Sequence, residues 1–403
     1  MARILVVGGS LGGLLAANIL LRAGHQVQVI EKAAGCLDGR GAGIVTHAAL
    51  FDALQLAGVQ IDAGIGVEVT SRVVLDRQGD IVSQRSVTQI LSSWSRLYQL
   101  LRQALPDSCM HAGRSAVSVI ESANAVTLAC DDGSSHEADM LIASDGLRSA
   151  VRQQFAPQAV PAYAGYVGWR GVCDENVLSR RTLDTVFDCF GFGLPSGEQL
   201  IGYPVAGAGN AIERGRRRFN FVWYRPAAGA ALVTLMTDAD GMHYPLGIPP
   251  NKVAWRHVAG MRVAARALLA PQFAEIIEKT AQPFLQPIFD LDACRLAFGR
   301  TVLMGDAAFV ARPHVGMGVT KAAQDAMALA ECIGRCGAGT AAGLAYEQVR
   351  LAAGQEVVER GRRLGRYMQM QSESPGQAEA FRRDSDEVLR ETAIDFSQQA
   401  QHA

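Results

Sequence analysis

Arg3-Ile4-Leu5-Val6-Val7-Gly8-Gly9-Ser10-Leu11-Gly12-Gly13 is the stretch on which the fold turns. Arg3 to Val7 is a short apolar run of strand length. The residues from about Leu11 to Ala23 are helix-forming, and Gly24 then terminates the helix. Gln26 to Ile30 reads as a second strand, with Glu31 at its end. Strand, glycine turn, helix and strand make a βαβ unit of about 30 residues, whose crossover is right-handed. Gly8, Ser10 and Gly13 occupy the three small positions of a dinucleotide-binding turn. Gly8 permits the tight turn, small Ser10 lets the backbone approach a pyrophosphate, and Gly13 lets helix and strand pack closely. The helix start at Leu11 offers free N–H groups and a positive dipole end. Glu31, 18 residues past Gly13 and followed by Lys32, is placed to accept hydrogen bonds from ribose hydroxyls and to repel a 2′-phosphate. FAD or NAD is therefore expected here rather than NADP.

The run Ile4 to Leu21 is uncharged and long enough to span a membrane, but glycine and serine break it into a strand-like and a helix-like half. No cleavage site follows it, so neither insertion nor secretion is expected. The chain has 403 residues, is 49% hydrophobic and 19% charged, and balances 38 basic against 39 acidic side chains. This composition excludes a disordered chain and predicts two to three domains. The formal charge of −1 argues against a nucleic-acid or anionic-membrane surface, since both need clustered positive charge. The eight cysteines form no C-x-x-C and no regular framework, as expected of buried, reduced thiols in a cytoplasmic protein. No metal site is expected.

Further along, a helix is predicted near Thr46–Leu56, short strands over Gly66–Val87, and a helix over Ser93–Leu105 stopped by Pro106. Ala138–Ser144 reads as a buried strand running into Asp145-Gly146. Residues 161–240 are dense in glycine, aromatics and short alternating runs such as Phe219-Asn220-Phe221-Val222-Trp223-Tyr224, the pattern of an antiparallel sheet. Thr301–Met304 is again a buried strand, ending in Gly305-Asp306, and helix is expected from Lys321 on. The fold class is therefore mixed α/β (α+β): a Rossmann-like dinucleotide-binding domain with an inserted antiparallel-sheet domain and C-terminal helices. The boundaries drawn are 1–71, 96–160 and 285–345 for the first domain, 72–95 and 161–284 for the second, and 346–403 for the helical segment. Asp384 to Ala403 are expected to be loosely held.

Two later motifs choose between FAD and NAD. One is Asp139-Met140-Leu141-Ile142-Ala143-Ser144-Asp145-Gly146-Leu147-Arg148. The other is Gly299-Arg300-Thr301-Val302-Leu303-Met304-Gly305-Asp306-Ala307-Ala308, followed by Arg312-Pro313-His314-Val315-Gly316-Met317-Gly318. Each is a buried strand ending in a Gly/Asp turn, where ligands sit in open α/β sheets. In this order they resemble the FAD-dependent aromatic hydroxylases, the p-hydroxybenzoate hydroxylase superfamily, over almost the whole chain from Arg3 to about Tyr367. Gly8-Gly9-Ser10, Tyr166-Val167-Gly168-Trp169-Arg170-Gly171, Gly202-Tyr203-Pro204-Val205, Trp223-Tyr224-Arg225 and Arg312-Pro313-His314 are similar to its 2,6-dihydroxypyridine 3-hydroxylase branch.

The resemblance implies that Asp306 holds the ribitol chain of FAD and that Asp145-Gly146 serves FAD and nicotinamide binding. It implies too that the loop Pro313 to Gly318, with Gly316, lies along the flavin ring. It implies a monooxygenase that uses NAD(P)H as a transient co-substrate and O2, through a flavin C4a-hydroperoxide, to hydroxylate a small activated aromatic or N-heteroaromatic ring. There is no second dinucleotide turn to hold a nicotinamide nucleotide. Three positions depart from the pattern: Phe309 for a usual histidine, Thr320 for asparagine, and Trp94 for the arginine that reaches the FAD pyrophosphate. Arg96 is a substitute for that arginine, or equally a surface residue; Arg40, in a Gly-rich stretch, is a second cationic candidate. For substrate chemistry His47 and His314 titrate in the useful range, and Tyr203 and Tyr224 could hydrogen-bond a ring, though all four are equally readable as structural residues. A related oxidase, a halogenase, a natural-product hydroxylase or a non-catalytic FAD-fold protein would share the domain plan. The sequence leaves a homodimer open.

Overall fold

In the computed structural model, described over residues 1–35, 37, 43–369 and 383–394, the quoted stretch folds as β1 (Arg3–Val7), α1 (Leu11–Arg22) and β2 (Gln26–Glu31). Strand β1 is central in a six-stranded sheet, parallel to β2 on one side and to Met140–Ala143 on the other. Thr301–Leu303 pairs in parallel beyond Met140–Ala143, and Met110–Ala112 beyond β2. The strand residues Ile4–Val7 and Met140–Ala143 are buried throughout, as strands covered on both faces must be. Helix α1 packs on the long helix Gly318–Cys336, so the first and last parts of the nucleotide unit meet. Ala116–Glu121, Val126–Cys130 and Ser135–Ala138 form a small antiparallel sheet beside it.

The second sheet has nine strands. In order they are Phe309–Val310, Phe284–Asp292, Ala162–Asp174, Arg218–Pro226, Gln199–Val205, Cys189–Gly193, Val67–Leu75, Ile81–Ser93 and Gly43–Val45. Alternation divides its side chains between two faces. One face, with Trp169, Phe219, Phe221 and Trp223, is covered by the helices Trp255–Leu268 and Pro271–Lys279, through Val258, Met261, Phe273 and Ile277. The other carries Phe190, Phe192, Ile201, Tyr203, Val222 and Tyr224 and packs with Met368, Val388, Leu389 and Ala393 of the C-terminal part of the chain. The strand Val67–Leu75 crosses the boundary drawn at residue 71, and Gly43–Val45 joins the same sheet.

The 30-residue helix Thr340–Gln369 runs past both sheets. Its Tyr346 donates to the Leu303 carbonyl at 3.2 Å, and its Tyr367 to that of Pro195 at 3.2 Å. A Cβ at Gly365 would lie 2.5 Å from the Tyr166 hydroxyl and 2.7 Å from Arg312 Nη1, so this helix needs a bare backbone there.

Two expectations need correction. Of the stretch expected to be loosely held, Asp384–Ile394 is instead anchored: it contains the helix Ser385–Glu391, and the fully buried Arg72 donates to the carbonyls of Leu389, at 2.7 Å, and Thr392, while residues 395–403 lie outside the described residues. The same guanidinium lies over the rings of Phe190 and Phe192. The cysteines are not all buried either, since Cys294 and Cys336 are exposed; Cys36 lies outside the described residues. Among the described residues no helix is long and apolar enough to cross a membrane.

Candidate active site

A cavity of ≈ 370 Å³ lies between the two sheets. Its nucleotide-side wall is made by Ser10, Leu11, Gly12, Ser144, Gly146 and Asp306. Gly8, at φ +104, passes so close to the next strand that a Cβ would sit 2.4 Å from the Ser144 carbonyl oxygen. A Cβ on Gly13 would sit 1.9 Å from that of Gly8. The turn therefore tolerates only glycine at both places. Ser10 precedes α1 with an extended backbone and makes no side-chain cap, so the first N–H groups of α1 have no side-chain partner there. Glu31 sits behind this turn. Its two oxygens accept from Gly9 N at 2.7 Å and Ala33 N at 2.8 Å. Each oxygen retains a lone pair for a hydroxyl donor. Lys32 is exposed beside it.

Asp306 is presented by the turn after Thr301–Leu303. Its side chain is 58% exposed, into the cavity that it lines. Behind it, at 3.9 Å, stands Lys321 Nζ, fully buried and without a hydrogen-bond partner. The Gly305 N–H donates to Asp325 at 3.1 Å, and Asp325 accepts from Arg350 at 2.7 Å. Asp145 does not line the cavity. It accepts from Ala150 N at 2.9 Å at the start of a short helix, and burial raises its pKa. Gly146 does line it. Buried Arg152 joins the two Gly/Asp turns, donating to the carbonyls of Gly146 at 3.3 Å, Leu147 at 2.5 Å and Ala307 at 3.1 Å.

The loop expected along a flavin ring supplies Pro313, Val315, Gly316, Met317 and Gly318 to the wall, with Trp94, Val45 and Ala393 opposite or beside it. Gly316 is left-handed at φ +67. The loop is anchored at Arg312, whose guanidinium is bound by Asp290. Trp94 stacks on Tyr98 with centroids 5.0 Å apart. Arg96 lies 3.6 Å from Asp62 and is not in the wall. Arg40 lies outside the described residues.

The remaining wall comes from the nine-stranded sheet: Arg170, Phe190, Ile201, Tyr203, Val222, Tyr224 and the segment Gln286–Phe289. Tyr203 stacks on Phe190 at 4.9 Å. Burial pushes its phenol up to about 12, opposed by the charge of Arg170, and raises that of Tyr224 in the same way. The two histidines stand behind the wall. His47, before helix Ala48–Leu56, shares a hydrogen bond with Thr320 at 2.9 Å. His314 is fully buried, 3.0 Å from the Tyr166 hydroxyl, with its ring 4.0 Å from that of Tyr224. Burial, reinforced by Arg383 and Arg312, lowers its pKa well below the usual histidine value. The direction of the shift favours the neutral imidazole at pH 7.

These features fit FAD: a glycine turn with no room for a Cβ, a helix start facing the cavity, and a carboxylate projecting into it. The family described as FAD binding domain matches residues 1–190 and 287–361, and a related FAD binding domain-like family matches 163–290. The chain belongs to the FAD-dependent aromatic hydroxylases. This flavoprotein is 34% identical to 2,6-dihydroxypyridine 3-monooxygenase of Paenarthrobacter nicotinovorans, over 82% of each chain. It is 27% identical to 6-hydroxynicotinate 3-monooxygenase of Pseudomonas fluorescens, over 83% of each. The solved structure of 2,6-dihydroxypyridine-3-hydroxylase from Arthrobacter nicotinovorans superposes with a TM-score of 0.85 at 31% identity, covering 91% of this chain and 93% of that one. Arg170, Gln286 and Lys321 are wall or supporting residues that a reading by motif does not single out. For Arg170 the available signal is alternation: it falls two residues after Gly168 on the face that also bears Tyr224.

Proposed function

We propose that this flavoprotein hydroxylates a small, electron-rich N-heteroaromatic ring of the hydroxypyridine type, drawing on NAD(P)H and O2. The observation that carries the reading is one continuous cavity, with nucleotide-binding turns and Asp306 on one wall and an aromatic, tyrosine-bearing sheet face on the other. Ser10, Leu11 and Gly12 would hold the pyrophosphate, Glu31 the adenosine ribose and Asp306 the ribitol, with Pro313–Gly318 beside the ring system. Bound there, FAD supplies the oxygen activation that side chains lack. The chain's own task is to bind and orient the ring and to exclude water. Phe190, Ile201 and Val222 provide flat apolar contact. Tyr203 and Tyr224, whose hydroxyls stay protonated at neutral pH, act as donors to ring oxygens. His314 is a positioning residue, holding Tyr224 from behind and joining Tyr166 to the flavin-side loop.

The test is a panel of hydroxypyridines and phenols supplied to the FAD-loaded protein with NADH or NADPH under labelled O2. One labelled oxygen atom in a ring-hydroxylated product is the expected result. Ligand-stimulated NAD(P)H oxidation that yields only hydrogen peroxide across the panel would overturn the proposal.

A further inference from the structure

We infer that Arg170 is the receptor for a negative charge on the substrate, so that the cavity takes an anionic ring, bearing an ionised hydroxyl or a carboxylate, in preference to a neutral one. This rests on the ring-hydroxylating reading above. Among the described residues two arginines line the cavity, and they differ in their partners. Arg312 is neutralised by Asp290 through three hydrogen bonds of 2.8–3.1 Å. Arg170 donates at 2.7 Å to the uncharged amide of Gln286, and among the described residues it has no carboxylate within ion-pair distance. Its Nε is buried with no hydrogen-bond partner.

A guanidinium carries five donors and no acceptor. Among the described residues it keeps unused donors and an unbalanced positive charge, in a wall that it shares with Phe190, Ile201, Tyr203, Val222, Tyr224 and the segment Gln286–Phe289. Leaving such a charge half desolvated is costly unless a partner arrives. The hydroxyls of Tyr203 and Tyr224 have no hydrogen-bond partner among the described residues, and the charge of Arg170 acts on both, opposing the larger effect of burial. One cation and two neutral hydroxyl donors thus converge from one sheet face, an arrangement for an oxyanion on a flat ring. Asp306 is the one carboxylate among the described lining residues; it belongs to the nucleotide-side wall and has Lys321 behind it.

The experiment titrates FAD-loaded protein with matched ligands and follows the visible flavin spectrum. One pair is 6-hydroxynicotinate and its carboxamide. The other is 2,6-dihydroxypyridine, at a pH where a ring hydroxyl is ionised, and 2,6-dimethoxypyridine. The wild type is expected to bind the anionic member of at least one pair about tenfold more tightly or better, the range of hydrogen bonds to charged groups. The pair that shows the preference identifies carboxylate or ring oxyanion as the source of charge. Arg170→Met should abolish the preference and Arg170→Lys retain part of it, both with full FAD content. No preference in either pair for the wild type, or an undiminished one in Arg170→Met, overturns the inference. If Arg170→Met fails to take up FAD, the wild-type pairs and Arg170→Lys decide. An intact anion preference without labelled oxygen in any product would remove the hydroxylation reading and leave Arg170 as an anion receptor.

Discussion

Replacing Asp290 by alanine should unfasten the loop Pro313–Gly318 of the cavity wall. Asp290 and Arg312 are only about 6% and 5% exposed. The carboxylate takes Nε at 3.0 and 3.1 Å and Nη2 at 2.8 Å. Without it, Arg312 keeps Gln369 at 3.2 Å and the face of Tyr166, 5.6 Å from the ring centre, neither of which carries a compensating charge. Arg362, 3.7 Å from the same carboxylate, loses a partner as well. Breaking a buried pair on one side costs about 3–5 kcal/mol, because a desolvated charge is left behind. Arg312 directly precedes Pro313–Gly318, so FAD affinity should fall together with stability. Urea unfolding of the apoprotein, with FAD titration by fluorescence quenching, measures both. The control is the double variant Asp290→Leu/Arg312→Met, which removes both charges and should recover most of the stability, since apolar replacement of a buried pair is often neutral. A loss below about 1 kcal/mol in Asp290→Ala, or a double variant no more stable than the single one, would show that this buried pair does not hold the loop.

Gly13→Ala places a Cβ 1.9 Å from the Gly8 oxygen; the purified protein should contain little FAD, whereas overpacking should cost its fold about 1–3 kcal/mol. His314 has a pKa below that of an unfolded histidine, so the unfolded state binds the extra proton: its contribution is complete above about pH 6.5 and declines as pH falls, by roughly 1.4 kcal/mol per unit. Unfolding free energies of wild type and His314→Gln between pH 7.5 and 5 should therefore converge towards acid by that slope; parallel curves would dismiss a neutral buried imidazole. Arg72→Met removes the donor to the Leu389 and Thr392 carbonyls; amide exchange over Ser385–Glu391 should accelerate by tenfold or more, as expected for loss of hydrogen bonds to a charged group, and unchanged protection would show that the segment is held otherwise.

Local rules decide what the sequence alone determines here. The β1–α1–β2 unit, the glycines of its turn and the two Gly/Asp strand ends are legible because a few backbone constraints, written within about 30 residues, leave little choice of side chain. Gly8 and Gly13 are readable for that reason, and the structure attaches a specific overlap to each. The mixed α/β class follows from the same periodicities.

The cavity wall built by the nine-stranded sheet is different in kind. Arg170, Tyr203, Tyr224 and Gln286 come from four strands and meet only because the nine-stranded sheet sets their registers side by side. Histidine chemistry drew attention to His47 and His314, yet burial depth, which no local pattern encodes, puts both behind the wall and holds His314 neutral. Likewise nothing near Arg72 announces that it clasps a segment more than 300 residues away. Backbone conformation is dictated by neighbours in the chain, whereas charge compensation and exposure are dictated by neighbours in space, and these the folded structure alone supplies.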